Sequence, residues 1–227
     1  MADVVEVDIA FPERGSSSYA SSFSKKKPMA RMTFLDADGD SEVVWVPVRV
    51  ARTVKKNALA LPVPSEQLWS KIHEIQSATC LAQLTDLLAR RDYGTEEARR
   101  KLQDYGYRVR EINEAIDRAK KLRYLSDTRF VSSFIEQRKA RGWGRKKIEL
   151  DLRRRSIDLD SIPGYPEAFF NEDDDLQRAL GVLSRKRIPE QRAFQKLMGN
   201  LMTRGFSYAV ASEAVRSFLA DHEEADV

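Results

Sequence analysis

"KLQDYGY" (residues 101–107) returns twice along the chain, as "DLRRRSI" (151–157) and "NLMTRGF" (200–206). Each copy is a leucine, three mostly polar residues, glycine or serine, then a large apolar residue. The leucines, Leu102, Leu152 and Leu201, stand 50 and 49 residues apart. Mechanically, the leucine closes the apolar face of one helix, the glycine supplies a left-handed cap, and the next apolar residue folds back onto the last turn. A further helix then begins, with Ile112, Ile116 and Ala119 on one face in the first copy and Ala211, Val215 and Phe218 in the third. Each unit of about 50 residues therefore reads as three helices, too small to bury its own faces alone. The prediction is a mainly α protein in which three tandem three-helix repeats stack into an elongated, curved array. The middle copy is irregular, because Pro163, Gly164 and Pro166 in "LDSIPGYPEAFF" are set to delay or shorten its third helix.

Outward from the repeats, "GSSSYASSFSKKKP" (15–28) is rich in serine and lysine, so residues 1–29 read as a flexible tail. In "RMTFLDADGDSEVVWVPVRV" two β-prone runs, Met32–Leu35 and Glu42–Val50, flank the turn "DADGD" and predict a hairpin. Gly39 is fourth in that turn and the carboxylates stop at Glu42, so it lacks the spacing of a calcium loop. Ser65 is placed to N-cap a helix carrying Leu68, Ile72 and Ile75. The predicted organisation is a tail (1–29), a small β-hairpin and helix segment (30–75), three-helix repeats at 76–125, 126–171 and 172–222, and an acidic tail (223–227).

Charge is distributed unevenly. Residues 1–75 carry 10 basic and 10 acidic residues, residues 76–156 carry 21 and 12, and residues 157–227 carry 8 and 13. A basic middle of net +9 points to a polyanionic or charged-groove partner. The opening has neither a basic n-region nor an apolar h-region, and no run approaches the ~18 apolar residues of a membrane span, so a cytoplasmic protein without membrane contact is expected. The chemistry of an enzyme is missing. Two histidines (His73, His222) and one cysteine, Cys80, make no ordinary zinc site, and "RGWGRKK" lacks the end of a phosphate loop. Asp173, Asp174 and Asp175 sit where they favour a helix N-terminus. We expect no catalysis, metal or cofactor, and read Cys80 as an inert core thiol.

"RKKIELDLRRR" (145–155) holds six bases against two acids. Ile148 and Leu152 mark its buried face, and Lys146 with Arg153 and Lys147 with Arg154 form two columns on the exposed side. Glu149–Arg153 and Asp151–Arg155 are acid-before-base pairs at i, i+4, yet they leave net +4 over eleven residues. That self-repulsion has no reason in folding alone. Arg99, Arg100 and Lys101 occupy the corresponding place in the first repeat, whereas "RAFQKLMGNLM" in the third has little charge. The candidate partner-binding residues are thus Arg99, Arg100, Lys101, Trp143, Arg145, Lys146, Lys147, Arg153, Arg154 and Arg155. For Trp143, an aromatic contact and a packing wedge are both open readings.

"LLARRDYGTEEARRKLQDYGY", "RYLSDTRFVSSFIEQRKARGWGRKKIELDLRRRSI" and the 50-residue triplication resemble the RecX family, over residues 76–221. The junction Tyr124, Leu125, Asp127, Phe130 and the glycine pair Gly142, Gly144 carry the likeness. The resemblance implies a binding protein without catalysis that lies in the groove of the RecA filament on DNA; its oligomeric state stays open, with an elongated monomer as the default expectation. In that groove it would modulate ATP hydrolysis, strand exchange and co-protease action in recombinational repair and the SOS response, usually by inhibition. The basic residues leave open whether they meet RecA or single- or double-stranded DNA, since lysine and arginine serve both. The competing reading is a stand-alone DNA-binding helical module.

Overall fold

All three leucine turns close in the same way. Tyr107 N–H donates to the Leu102 carbonyl at 3.2 Å and Gly106 N–H to that of Gln103 at 2.9 Å, the paired bonds of a Schellman cap. Ile157 and Phe206 repeat the long bond to Leu152 and Leu201, each at 3.2 Å. Leu102, Leu152 and Leu201 are fully buried, and the residues that fold back, Tyr107, Ile157 and Phe206, are buried with them.

The structure, a computed structural model, describes residues 2–13, 27–57 and 60–225. It is mainly helical with one small antiparallel sheet, in two units, Met1–Ser126 and Asp127–Val227.

In the first unit, strands β1 (Asp3–Ala10), β2 (Met29–Asp36), β3 (Ser41–Pro47) and β4 (Val63–Pro64) form a sheet of order β3-β2-β1-β4. The expected hairpin is β2–β3, and its acidic turn is held by Asp36, whose carboxylate accepts from the Asp38 and Asp40 N–H groups. Two expectations need correction. Residues 3–10, assigned to the tail, form β1 and pair with β2 along its length, with Val7 opposite Phe34. Their β-branched run outweighs the serine-rich stretch behind it, which lies mostly outside the described residues. The run expected to continue as a strand to Val50 stops at Pro47, where α1 (Val48–Lys56) starts. Val50, Ala51 and Val54 fall on one helical face and are buried, which decides against the strand.

Ala30, Met32 and Phe34 of β2 are buried in the same core as Val50, Ala51 and Val54 of α1 and Leu68 and Ile72 of α2 (Ser65–Leu88). This single 24-residue helix crosses the expected boundary at 75/76, so one element serves both the sheet and the first repeat. Ser65 is its first helical residue and not its cap: Pro64 precedes it, and the buried Ser65 hydroxyl has no hydrogen-bond partner. Packed with α2, α3 (Thr95–Asp104) and α4 (Val109–Lys121) complete this core. Cys80 is wholly buried within it, and burial above all pushes its thiol up to about 12.

In the second unit, α5 (Asp127–Ala140) and α6 (Arg145–Arg154) pack around Phe130, Ile135, Ile148 and Leu152. In place of a third helix the chain makes one 3-10 turn, Leu159–Ser161, and a run of turns through Pro163 and Pro166. Helices α7 (Glu172–Leu183), α8 (Ala193–Thr203) and α9 (Tyr208–Ala225) enclose a separate core around Leu183, Leu201, Phe206 and Val215. Asn171 caps α7 by accepting from Asp173 N–H, and α9 runs on into the segment set off as an acidic tail.

Candidate partner-binding surface

Helix α6 begins without a side-chain cap. Its early N–H groups are satisfied by the turn that ends α8: Lys146 N–H donates to the Gly205 carbonyl at 3.0 Å, and Gly144 N–H to that of Arg204 at 2.8 Å. Both glycines are needed for this approach. A Cβ on Gly144 would collide with the backbone of Gly205 and Phe206, and one on Gly205 with Lys147. The pattern "GWG" is therefore in part a mark of this junction.

The two acids of α6 are engaged within the fold, Asp151 with Arg155 as the spacing suggested and Glu149 with a different partner. Glu149 pairs with Arg145 at 2.6 Å, not with Arg153, and also accepts from the Tyr165 hydroxyl at 2.8 Å. Burial pushes the Glu149 carboxyl up, but the hydrogen bonds from Arg145 and Tyr165 outweigh it and hold it below its ordinary range. The same pair raises the Arg145 guanidinium, and burial followed by donation to Glu149 raises the Tyr165 phenol. Asp151 lies between Arg138 at 3.5 Å and Arg155 at 3.8 Å, and the Arg155 guanidinium rests on the Phe134 ring.

Of the six bases, Arg145 and Arg155 are thus tied into the fold. Lys147 lies over the half-buried Trp143 ring at 4.4 Å, with Arg138 at 4.7 Å. Trp143 packs as a wedge against the α5–α6 core, yet it also borders a cleft of about 380 Å³ between α6 and α8. Lys146, Arg153 and Arg154 are exposed, and among the described residues no carboxylate lies within ion-pair distance of them.

The corresponding residues of the first repeat behave differently. Arg99 is half-buried, bonded to Glu96 at 3.2 Å and to Asn113; Lys101 is half-buried and Arg100 exposed. Arg91 pairs with Glu97 at 2.6 Å and stacks on Tyr93.

A second cleft of the second unit, of about 720 Å³, is invisible to local charge density. Lys139, Arg141, Arg178, Arg185, Lys186 and Arg204 border it with Glu136 and Asp174; Lys139 is paired with Glu136 and Arg178 with Asp175, which leaves Arg141, Arg185, Lys186 and Arg204 in excess. These cations are spread from 139 to 204, so no short window collects them. Among the described residues there is no cluster of three metal-ligating side chains, and no helix long and apolar enough to cross a membrane.

The family model of the RecX second three-helix domain matches residues 126–162, the stretch of α5, α6 and the 3-10 turn. The regulatory protein RecX of Vibrio vulnificus (strain CMCP6) is 32% identical over 148 residues, covering 63% of this chain and 92% of that protein. That of Legionella pneumophila (strain Corby) is 31% identical over 135 residues, covering 57% and 88%. Among solved structures, RecX from Lactobacillus salivarius aligns with a TM-score of 0.55 at 18% identity, covering 63% of this chain and 96% of that one. A further regulatory protein RecX aligns at 0.58 and 16% identity, over 96% and 100%. At these identities the two structures support the fold.

Proposed function

The chain belongs to the RecX family of regulatory proteins, and on that premise we propose that it regulates the RecA recombinase by binding, without catalysis of its own. It acts in the cytoplasm as a monomer, seats in the groove of the RecA–DNA filament and restrains ATP hydrolysis, strand exchange and co-protease activity. The observation that carries the site is the state of α6: its carboxylates are consumed by Arg145, Arg138 and Arg155, while Lys146, Arg153 and Arg154 remain exposed. The test is RecA ATPase on single-stranded DNA, titrated with this protein at two salt concentrations, beside a DNA-only binding control. Inhibition at substoichiometric amounts that persists at the higher salt is expected. Turnover that changes only where the control shows the protein occupying the DNA overturns it.

A second reading has its own support. The cleft bordered by Lys139, Arg141, Arg178, Arg185, Lys186 and Arg204 offers cations without an aromatic platform, which suits phosphates more than bases. Direct DNA binding there would weaken steeply with salt, and charge reversal at Arg141 and Arg185 would reduce that slope.

A further inference from the structure

We propose that the cleft between α6 and α8 is a socket for a peptide segment of the partner in which carboxylates surround one large apolar side chain. The inference rests on the reading of α6 as the partner-facing surface and names the chemistry that surface takes.

Three large apolar side chains meet at this cleft from three parts of the chain: Trp143 ahead of α6, Leu150 on α6 and Met202 on α8. Leu150 is 50% exposed and Met202 40%. Neither is needed by the nearby cores, since α6 buries Ile148 and Leu152, and α8 buries Leu197, Met198 and Leu201. Cations stand around them: Lys146, Lys147 and Arg154 line the same cleft. Its only carboxylate, Asp151, is turned to Arg138 and Arg155 and does not neutralise them. Gly205 lines it too, and without a Cβ it lets α8 approach α6 closely.

A concave apolar surface with a basic margin is complementary to an apolar anchor carried on an acidic segment. The volume, about 380 Å³, suits one large side chain and its backbone. A nucleic-acid strand fits less well. Bases bind by stacking on aromatic faces, whereas here the Trp143 ring already carries Lys147 and Arg138. What remains is aliphatic and thioether surface, and methionine adapts readily to a peptide side chain.

The test uses the full chain and a short fluorescein-labelled peptide with one phenylalanine among glutamates and aspartates, followed by anisotropy. Controls are the peptide with alanine for phenylalanine, the peptide with amides for carboxylates, and a labelled single-stranded oligonucleotide. The phenylalanine peptide should bind about tenfold or more tighter than either control peptide. Leu150→Glu and Met202→Glu should each abolish the advantage of phenylalanine over alanine, with circular dichroism unchanged. Arg216→Glu, exposed on α9 and outside the cleft, should preserve that advantage. The socket is overturned if alanine serves as well as phenylalanine, or if the advantage survives both glutamate variants. It is overturned equally if Met202→Glu weakens the oligonucleotide and not the peptide, or if it dissociates a self-associated form of the protein, which would make a second copy the occupant. Failure of the RecA reading shows elsewhere, as ATPase unmoved by the wild-type protein whatever the peptide does.

Discussion

Single residues divide sharply into those the fold consumes and those it leaves outside. Lys146, Arg153 and Arg154 belong to the second group. Reversing all three to glutamate should weaken filament binding tenfold or more, about 1.4 kcal/mol, with unchanged helix content; equal binding in a co-sedimentation assay would remove the basic surface from the account. Leu102, Leu152 and Leu201 belong to the first group, being fully buried. Each should cost about 2–5 kcal/mol on truncation to alanine, read from urea unfolding. Glu149 adds a pH dependence whose sign follows from its depressed folded-state value. Its contribution is present above the ordinary glutamate range and is lost as pH falls through the folded value. The stability gap between wild type and Glu149→Gln should therefore be widest near neutrality and close in acid. A gap that widens on acidification would contradict the Arg145–Glu149–Tyr165 arrangement.

At the scale of elements, the three capped turns show what each was selected to meet. Gly205 faces the Lys147 backbone so closely that no side chain fits, whereas Gly106 faces the flexible end of the Met29 side chain; both have φ near +90°. The middle turn carries Ser156 at φ 61°, and it is exposed. Ser156→Gly should accordingly stabilise by about 0.5–1 kcal/mol, since a left-handed non-glycine residue costs about 1–2 kcal/mol, partly offset by the freer unfolded chain. Gly205→Ala should destabilise by about 1–3 kcal/mol or more through forced displacement of α6. Thermal unfolding of the two variants would settle both signs. The turns were legible in sequence because a cap is local: leucine, glycine and a returning apolar residue lie within six positions. Strand β1 was not, since its partner β2 lies beyond a serine-rich stretch and neither composition nor periodicity carries pairing information across that distance. The pairing of Glu149 was also misjudged. Spacing alone offered Arg145 and Arg153 equally, and Tyr165, sixteen residues on, fixes the carboxylate on the Arg145 side.

For the molecule as a whole, the mainly helical repeat architecture and the family were readable from the triplication, while the surface they present was not. The α6–α8 cleft joins Leu150 to Met202, and the second basic cleft joins Lys139 to Arg204, pairs separated by more than a whole repeat. Charge runs find helices with excess cations, and only the packed chain shows which cations are left over. The N-terminal unit carries a related dependence, because β1 sits inside its sheet between β2 and β4. Deleting residues 1–12 should open the β2 edge and lower the unfolding temperature of that unit, seen as new proteolytic cleavage within residues 27–57.

The bond from Lys146 N–H to the Gly205 carbonyl has a consequence in time. Ribosomes deliver the chain from its N-terminus at about 5–20 residues per second, so the first turn of α6 is made several seconds before the carbonyl that completes it. Until residue 205 has emerged, the middle repeat starts its basic helix with amide hydrogens open to water. The nascent protein therefore acquires its finished cationic surface only when the last repeat arrives, and a message truncated between the two would yield a product with that helix frayed at its start.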